Sequence, residues 1–280
     1  ASSRTIELET GGVHVAQQIP LTDLRRLERN PNTELYQYAA MRLNYIIFNT
    51  QKAPFNDIRV RQALSYAIDI NELAEVAYGD LGTVATGYMN SSIWAFNPDV
   101  YMYEQDLEKA RALLAEAGLG NGFSFTMAID DNPERRMIAE ILGSQFRELG
   151  MNMSIEIYEW GAYLQLTASG NHDMAQLSWL ASTGDPHHAL HPNYHSSNIG
   201  AANRSHINLP EIDELLIAGM VETNMETRAQ IYHEVQRMIA EYAPIIPVTD
   251  DREAVGIRSN VTNFQPSSSG YHLFHGVGLQ

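Results

Sequence analysis

The chain has 280 residues, 44% hydrophobic and 19% charged, the balance of an ordinary globular protein with one large core or two smaller ones. Eighteen basic against 34 acidic residues leave a formal charge of −16, which repels a nucleic-acid backbone or an anionic membrane surface; solubility is the plain reading, with a salty medium or a cationic ligand as alternatives. With no cysteine there is no disulfide frame, thiolate nucleophile or Cys-type zinc site, and no run reaches the roughly 18 uncharged apolar residues of a membrane span.

In chain order, Thr5 to Glu9 reads as a short helix broken at Gly11-Gly12, Val13 to Gln17 as a short strand, and Leu21 to about Arg29 as a helix stopped by Asn30-Pro31. Ala1-Ser2-Ser3-Arg4 lacks the apolar core of a signal peptide, so any export signal is expected to have been removed or to lie upstream. Glu34 to Asn49 is rich in Tyr, Ile and Leu and gives one or two strands. Asp57 caps a helix whose Val60, Ala63, Leu64, Ala67 and Ile68 recur on one face, and Asp69 caps a second that ends at Gly79. The 80–105 stretch has no clear period and reads as an ordered, irregular connection pinned by Trp94.

Asp106 opens a helix ending at Gly118, Phe123, Phe125, Met127 and Ile129 alternate as a strand, and Asn132-Pro133 starts a helix running to Gly150. Met153, Ile155 and Ile157 alternate again, a helix spans Gly161 to Ser169, and Asp173 to Trp179 is a strand. This alternation predicts an α/β fold with a largely parallel or mixed sheet covered by helices. After a polar loop carrying His187, His188, His191 and His195 come helices over about Pro210 to Val221 and Glu226 to Tyr242, then a strand from Ile245 to Thr249. The last thirty residues offer only short strand-like pieces.

The sequence contains no G-x-S-x-G, Walker-A loop, H-E-x-x-H or G-x-G-x-x-G, so hydrolase, kinase, zincin and dehydrogenase chemistry all lose support. The histidines His187, His188, His191 and His195 are the one metal candidate, since neutral imidazoles at short spacing can converge on Ni²⁺ or Zn²⁺. No acidic or thiolate ligand completes the spacing, so solvent-facing loop histidines are expected, with no metal and no cofactor. Trp160 is expected to be a structural residue at a strand end, while Trp179 is open between core and cleft.

Asn49-Thr50 followed by Pro54 to Asp69 (PFNDIRVRQALSYAID) resembles the hallmark segment of the peptide/nickel/opine class of ABC-importer solute-binding proteins. The similarity continues in order through Gly82 to Ala85, Leu107 to Gly118, Glu159-Trp160, Asp173 to Trp179, and Ile231-Tyr232 through Pro247, and it extends back to Glu7 to Ala16. The resemblance implies a class II periplasmic-binding-protein-like fold, with a larger second lobe and part of the first. Residues 1–50 would be partial first lobe, 51–251 the second α/β lobe and 252–280 the return to the first, with hinge crossings near Asn49-Thr50 and Asp250-Asp251. Members are much longer, so the chain is expected to be a truncated or separately expressed C-terminal portion.

By the same resemblance the chain is no enzyme. It would capture a peptide or peptide-like solute, or else a nickel or other metal chelate, an opine or an oligosaccharide, and deliver it to permease subunits of the inner membrane; the rival is a metal-dependent enzyme or sensor on this scaffold. It would be a monomer in full-length form, periplasmic, or lipid-anchored outside a Gram-positive cell. The implied cleft residues are Tyr88, Trp179, Ser182, Thr183, Gly184 and Asp185, the last expected mainly to cap its loop. In peptide-binding members an aspartate pairs with the ligand ammonium at the position of Ser182, and an arginine meets the ligand carboxylate where this chain has Asp130 and Asp131. Both departures argue against a dipeptide held at its two charged ends.

Overall fold

In the computed structural model, which describes residues 2–280, the chain opens with α1 (Ser2–Thr10), β1 (Val15–Gln17), α2 (Leu21–Glu28) and a single long strand, β2 (Thr33–Phe48). Asp57 and Asp69 then accept hydrogen bonds from first-turn backbone N–H groups, which would otherwise go unpaired, and so start α3 (Ile58–Tyr66) and α4 (Ile70–Tyr78). The short strand β3 (Gly82–Val84) precedes the irregular run, in which Trp94, expected to pin it, is 36% exposed with the Arg228 guanidinium 5.3 Å from its ring. Asp106 and Asn132 repeat the capping for α5 (Leu107–Glu116) and α6 (Pro133–Arg147), between which lies β4 (Ser124–Asp130).

The chain continues through β5 (Asn152–Tyr158), α7 (Trp160–Ala168), β6 (Met174–Leu180), α8 (Pro186–Tyr194), α9 (Pro210–Val221) and α10 (Met225–Tyr242). It ends with β7 (Ile245–Arg258), β8 (Val261–Thr262) and β9 (Gly278–Leu279), the last two paired. Among the described residues the main sheet has seven strands, ordered β1-β7-β2-β6-β4-β5 with β3 also on β7. It is mixed: β4 runs parallel to β5 and β6, whereas β2 is antiparallel to both neighbours.

Strand alternation sends side chains to two cores. Phe48, Phe125, Met127, Ile129 and Val248 pack against α3 to α6, while Tyr45, Ile47, Ala175, Leu177 and Ile245 pack against α7 to α10. The larger body is thus three layers, helices on both faces of the sheet. Tight seams hold it together: a side chain on Gly122 would sit 2.0 Å from the Gly150 carbonyl oxygen, so the turns bounding β4 and β5 can approach only because that position is glycine.

A smaller body forms where the other ends of β2 and β7 pair. Thr33 to Ala39 lie against Arg252 to Arg258, with β1 on the far side, and Leu8, Ile19, Leu24 and Leu27 pack on Ala254. Remote segments therefore share one core. The pairing of β2 with β7 shifts register between Ala39 and Leu43, where the two bodies meet.

Two expectations are corrected here. The strand starting at Ile245 does not end at Thr249 but runs through Asp250 to Glu253, because β2 supplies ladder partners to that charged stretch. The histidine segment is not a loop but helix α8. Asp185 caps it through the His187 N–H at 2.8 Å, Pro186 occupies its first turn, and Ala189, Leu190, Asn193 and Tyr194 form a buried stripe. Pro192 has no N–H for the His188 carbonyl, and the Trp179 indole N–H takes that acceptor instead at 2.8 Å.

Candidate functional site

The carboxyl ends of the parallel strands β4, β5 and β6 all point toward the smaller body. In open α/β sheets this edge is where ligands bind, because backbone and loop groups converge there free of helix cover. A crevice of about 250 Å³ opens between the bodies at this edge. Ser178, Asn44, Arg135 and Tyr78 stand on the larger side, and Gln18, Asp251 and Glu253 on the side of the smaller body and the crossing strands.

The register explains which residues face it. Asn44 pairs with Ser178 across β2 and β6 and shares its face, while the adjacent pair Leu43 and Trp179 turns the opposite way into the second core. Trp179 is thus partly buried in packing, 5.9 Å from the His188 ring and bonded to the His188 carbonyl. Trp179→Phe keeps most of that packing but orphans the carbonyl. A loss of about 1–2 kcal/mol is expected in urea unfolding, and an unchanged midpoint would contradict the role given to the indole N–H.

The charges in the crevice are unevenly matched. Arg42 lies 2.7 Å from Glu253 and 3.8 Å from Asp251, so one guanidinium serves two carboxylates. The Tyr38 hydroxyl donates to Glu253 at 2.8 Å and the Asn44 amide to Asp251 at 3.0 Å. Burial pushes the Asp251 carboxyl up to about 7, with Glu253 adding to the effect and Arg42 opposing it. Arg135, from the first turn of α6, reaches back to Asp130 at 2.6 Å with its guanidinium 5.6 Å from the Trp160 ring. Trp160 itself, expected as a packed strand-end residue, is 47% exposed at the start of α7.

The residues singled out from the sequence fall in three places. Ser182, Thr183, Gly184 and Asp185 follow β6 in a turn against Met41, with the Ala181 N–H on the Met41 carbonyl, and do not wall the crevice itself. Burial alone would raise Asp185, but a two-bond ion pair with Arg228, at 2.9 Å each, and the His187 N–H hold its carboxyl lower than usual. Tyr88 lies away from the crevice, 1% exposed in the second core.

His187, His191 and His195 stack along one face of α8 at 4.5 and 4.6 Å between ring centroids, whereas His188 lies against Trp179. Among the described residues no group of three or more His, Cys, Asp or Glu side chains could hold a metal ion. Sequence reasoning missed Arg42, Asn44, Ser178 and Glu253. The available signal was period two: with Trp179 in a core, Ser178 must face the other way.

A three-layer α/β body tied by two continuous strands to a smaller body, with a crevice where they meet, is the architecture of periplasmic binding proteins. The chain belongs to the bacterial extracellular solute-binding proteins of family 5, whose middle-region family model matches residues 1–201. It is 33% identical over its whole length to heme-binding protein A of Haemophilus influenzae, covering 52% of that protein. It is 27% identical to the dipeptide-binding protein of Escherichia coli, again over its whole length and 54% of the relative. A dipeptide-binding protein from Pseudoalteromonas sp. SM9913, solved in complex with Met-Leu, superposes with a TM-score of 0.93 at 27% identity, covering all of this chain and 56% of the other. The chain therefore spans about half the length of the relatives it matches.

Proposed function

We propose that this chain supplies the second lobe and part of the first lobe of the substrate-binding component of an ABC importer. The receptor captures a peptide or peptide-like small solute between its lobes outside the cytoplasmic membrane and hands it to the permease subunits. The crevice at the carboxyl edge of β4 and β6, walled by both bodies, is the observation that carries this reading. We place the lobe division at the register shift between Ala39 and Leu43, opposite Asp250 to Arg252, rather than near Asn49-Thr50 as expected from the sequence, because Leu43 to Phe48 already pack in the larger body; there two strands crossing side by side can flex together as a hinge.

The ligand is a peptide or peptide-like solute not held as a zwitterionic dipeptide. Ser182 brings no charge to the turn after β6, and Asp185, the nearest carboxylate in that turn, is committed to Arg228 and to the cap of α8. An ammonium held at that turn, away from the Asp251 and Glu253 carboxylates of the crevice, loses several kcal/mol of desolvation that a hydroxyl offsets only in part. The relative named for heme binding, at 33% identity, supports heme as a second ligand reading.

Calorimetric titration of the whole receptor with dipeptides, tripeptides and hemin tests both. The unaltered protein is expected to bind dipeptides weakly, and Ser182→Asp to tighten binding of ligands presenting a free amine by about tenfold or more. Submicromolar dipeptide binding by the unaltered protein, lost on Asp185→Asn, would overturn the assignment.

A further inference from the structure

Helix α8 carries a side-chain cluster that the crevice does not use. His187, His191 and His195 recur every fourth residue, so their rings line up on one face, 4.5 and 4.6 Å apart between neighbouring centroids. Packing selects that face: Ala189, Leu190, Asn193 and Tyr194 take the buried stripe of the helix, and His188 turns against Trp179. The three rings are left half buried. Two histidines one turn apart on a helix face can offer one metal ion two nitrogens at once.

The ring nitrogens decide which pair is free to do so. His195 Nδ1 accepts the Ser197 N–H at 3.1 Å, which puts the proton of the neutral ring on Nε2 and makes that nitrogen a donor rather than a ligand. His191 is not committed in this way: the Asn198 amide nitrogen, 3.4 Å from its Nδ1, is spent on the His191 carbonyl at 2.9 Å. His187 Nδ1 is sealed inside the fold, so this ring meets solvent through Nε2. Burial holds both imidazoles below their usual pKa, and both are therefore neutral at pH 7. Arg228, whose charge would oppose a cation near His187, is already neutralised by its two bonds to Asp185. His187 and His195 stand eight residues apart, about 12 Å at the rise of an α-helix, so the three rings cannot share one ion.

We propose that His187 and His191 chelate one divalent first-row transition ion through their Nε2 atoms, with water in its other positions. Metal–nitrogen bonds of about 2.0–2.1 Å place two ligating nitrogens about 3–4 Å apart, a separation that rings 4.5 Å apart and tilted by 33° reach through a small turn about χ2. Two imidazoles with no carboxylate or thiolate favour Cu²⁺ over Ni²⁺ and Ni²⁺ over Co²⁺, and give Mg²⁺ nothing it prefers to water. The ion clips the first turn of α8 to the next and stabilises the chain by mass action. These side chains lie outside the crevice, so the site stands or falls independently of the solute that the crevice takes.

The test is calorimetric titration of the tag-free chain with the chlorides of copper, nickel, cobalt and magnesium, together with pulsed EPR of the copper-loaded protein. One Cu²⁺ per chain is expected to bind most tightly, Ni²⁺ and Co²⁺ progressively more weakly and Mg²⁺ not at all. His187→Gln and His191→Gln should each weaken Cu²⁺ binding by about tenfold or more, and the double variant should lose little beyond either one, because a chelate is broken by removing one arm. His188→Gln and His195→Gln should leave it unchanged. Cu²⁺ should raise the urea midpoint of the unaltered chain but not that of the His191→Gln protein. EPR should count two imidazole nitrogens on the copper, a readout that needs no variant to fold. The proposal fails if no ion binds at millimolar concentration, if Mg²⁺ binds as well as Cu²⁺, if EPR finds other than two imidazoles, or if His195→Gln costs as much as His191→Gln.

Discussion

Replacing Arg61 by methionine is expected to remove about 3 kcal/mol of stability, a large share of what holds a domain of this kind folded. Arg61 is fully buried on α3, and its guanidinium donates to the carbonyls of Phe55 at 2.7 Å, Tyr242 at 2.7 Å and Ala243 at 3.1 Å. It also lies 4.3 Å from the centre of the Tyr242 ring. The side chain thus joins the start of α3 to the end of α10, whose last carbonyls have no helical partner of their own. Methionine fills similar space but leaves those acceptors buried and unpaired, at about 1–3 kcal/mol each. Removing a desolvated charge returns part of that cost, which is why the net stays near 3 rather than reaching the full sum. Arg61→Lys keeps the charge but cannot span three carbonyls, so it should recover less than half of the loss. Urea unfolding of the three proteins gives the comparison, and a deficit under about 1 kcal/mol for Arg61→Met would show that other groups carry this joint.

The parts of the fold legible in the sequence are those fixed by local chemistry. Asp57, Asp69, Asp106 and Asn132 each announce a helix because the cap and the apolar stripe lie within a few residues of one another, and the structure starts a helix at each. What was hidden depends on partners far away in the chain. Helix α8 reads as a loop because four histidines and Pro192 erase its pattern, and it survives because Trp179, on a neighbouring strand, takes the carbonyl that the proline leaves free. The charged stretch Asp250 to Glu253 is strand because β2 pairs with it. The crevice was half legible for the same reason: the turn after Trp179 is in sequence view, but Arg42, Asn44 and Ser178 come together only through register. The arginine near the carboxyl end of β4 was overlooked because it arrives from α6, where Arg135 folds back onto Asp130.

Asp251 is expected to make stability fall as pH rises toward neutrality, the reverse of an ordinary surface carboxylate. Its carboxyl stands at about 7 in the fold against a usual value of 3.8. Between those values the folded chain holds a proton that the unfolded chain has released, so the stabilisation is complete below about pH 4 and is lost as pH climbs through 7. A displacement of that size corresponds to about 4 kcal/mol. The side chain keeps 13% exposure and Arg42 stands 3.8 Å away, so about 2 kcal/mol is the expected effect. Asp251→Asn cannot ionise and can still accept from Asn44. Its stability relative to the unaltered protein should therefore rise from pH 4 to 7 and level off above 8. Urea unfolding at pH 4, 5, 6, 7 and 8 measures the difference directly, and parallel curves for the two proteins would show that the carboxyl is not perturbed. The same proton sits in the crevice wall where the two bodies meet, so any ligand group that touches Asp251 meets a charge that appears near neutral pH. Affinity at pH 6 and pH 8 should consequently differ more for the unaltered receptor than for Asp251→Asn, by linkage between proton and ligand at one carboxyl.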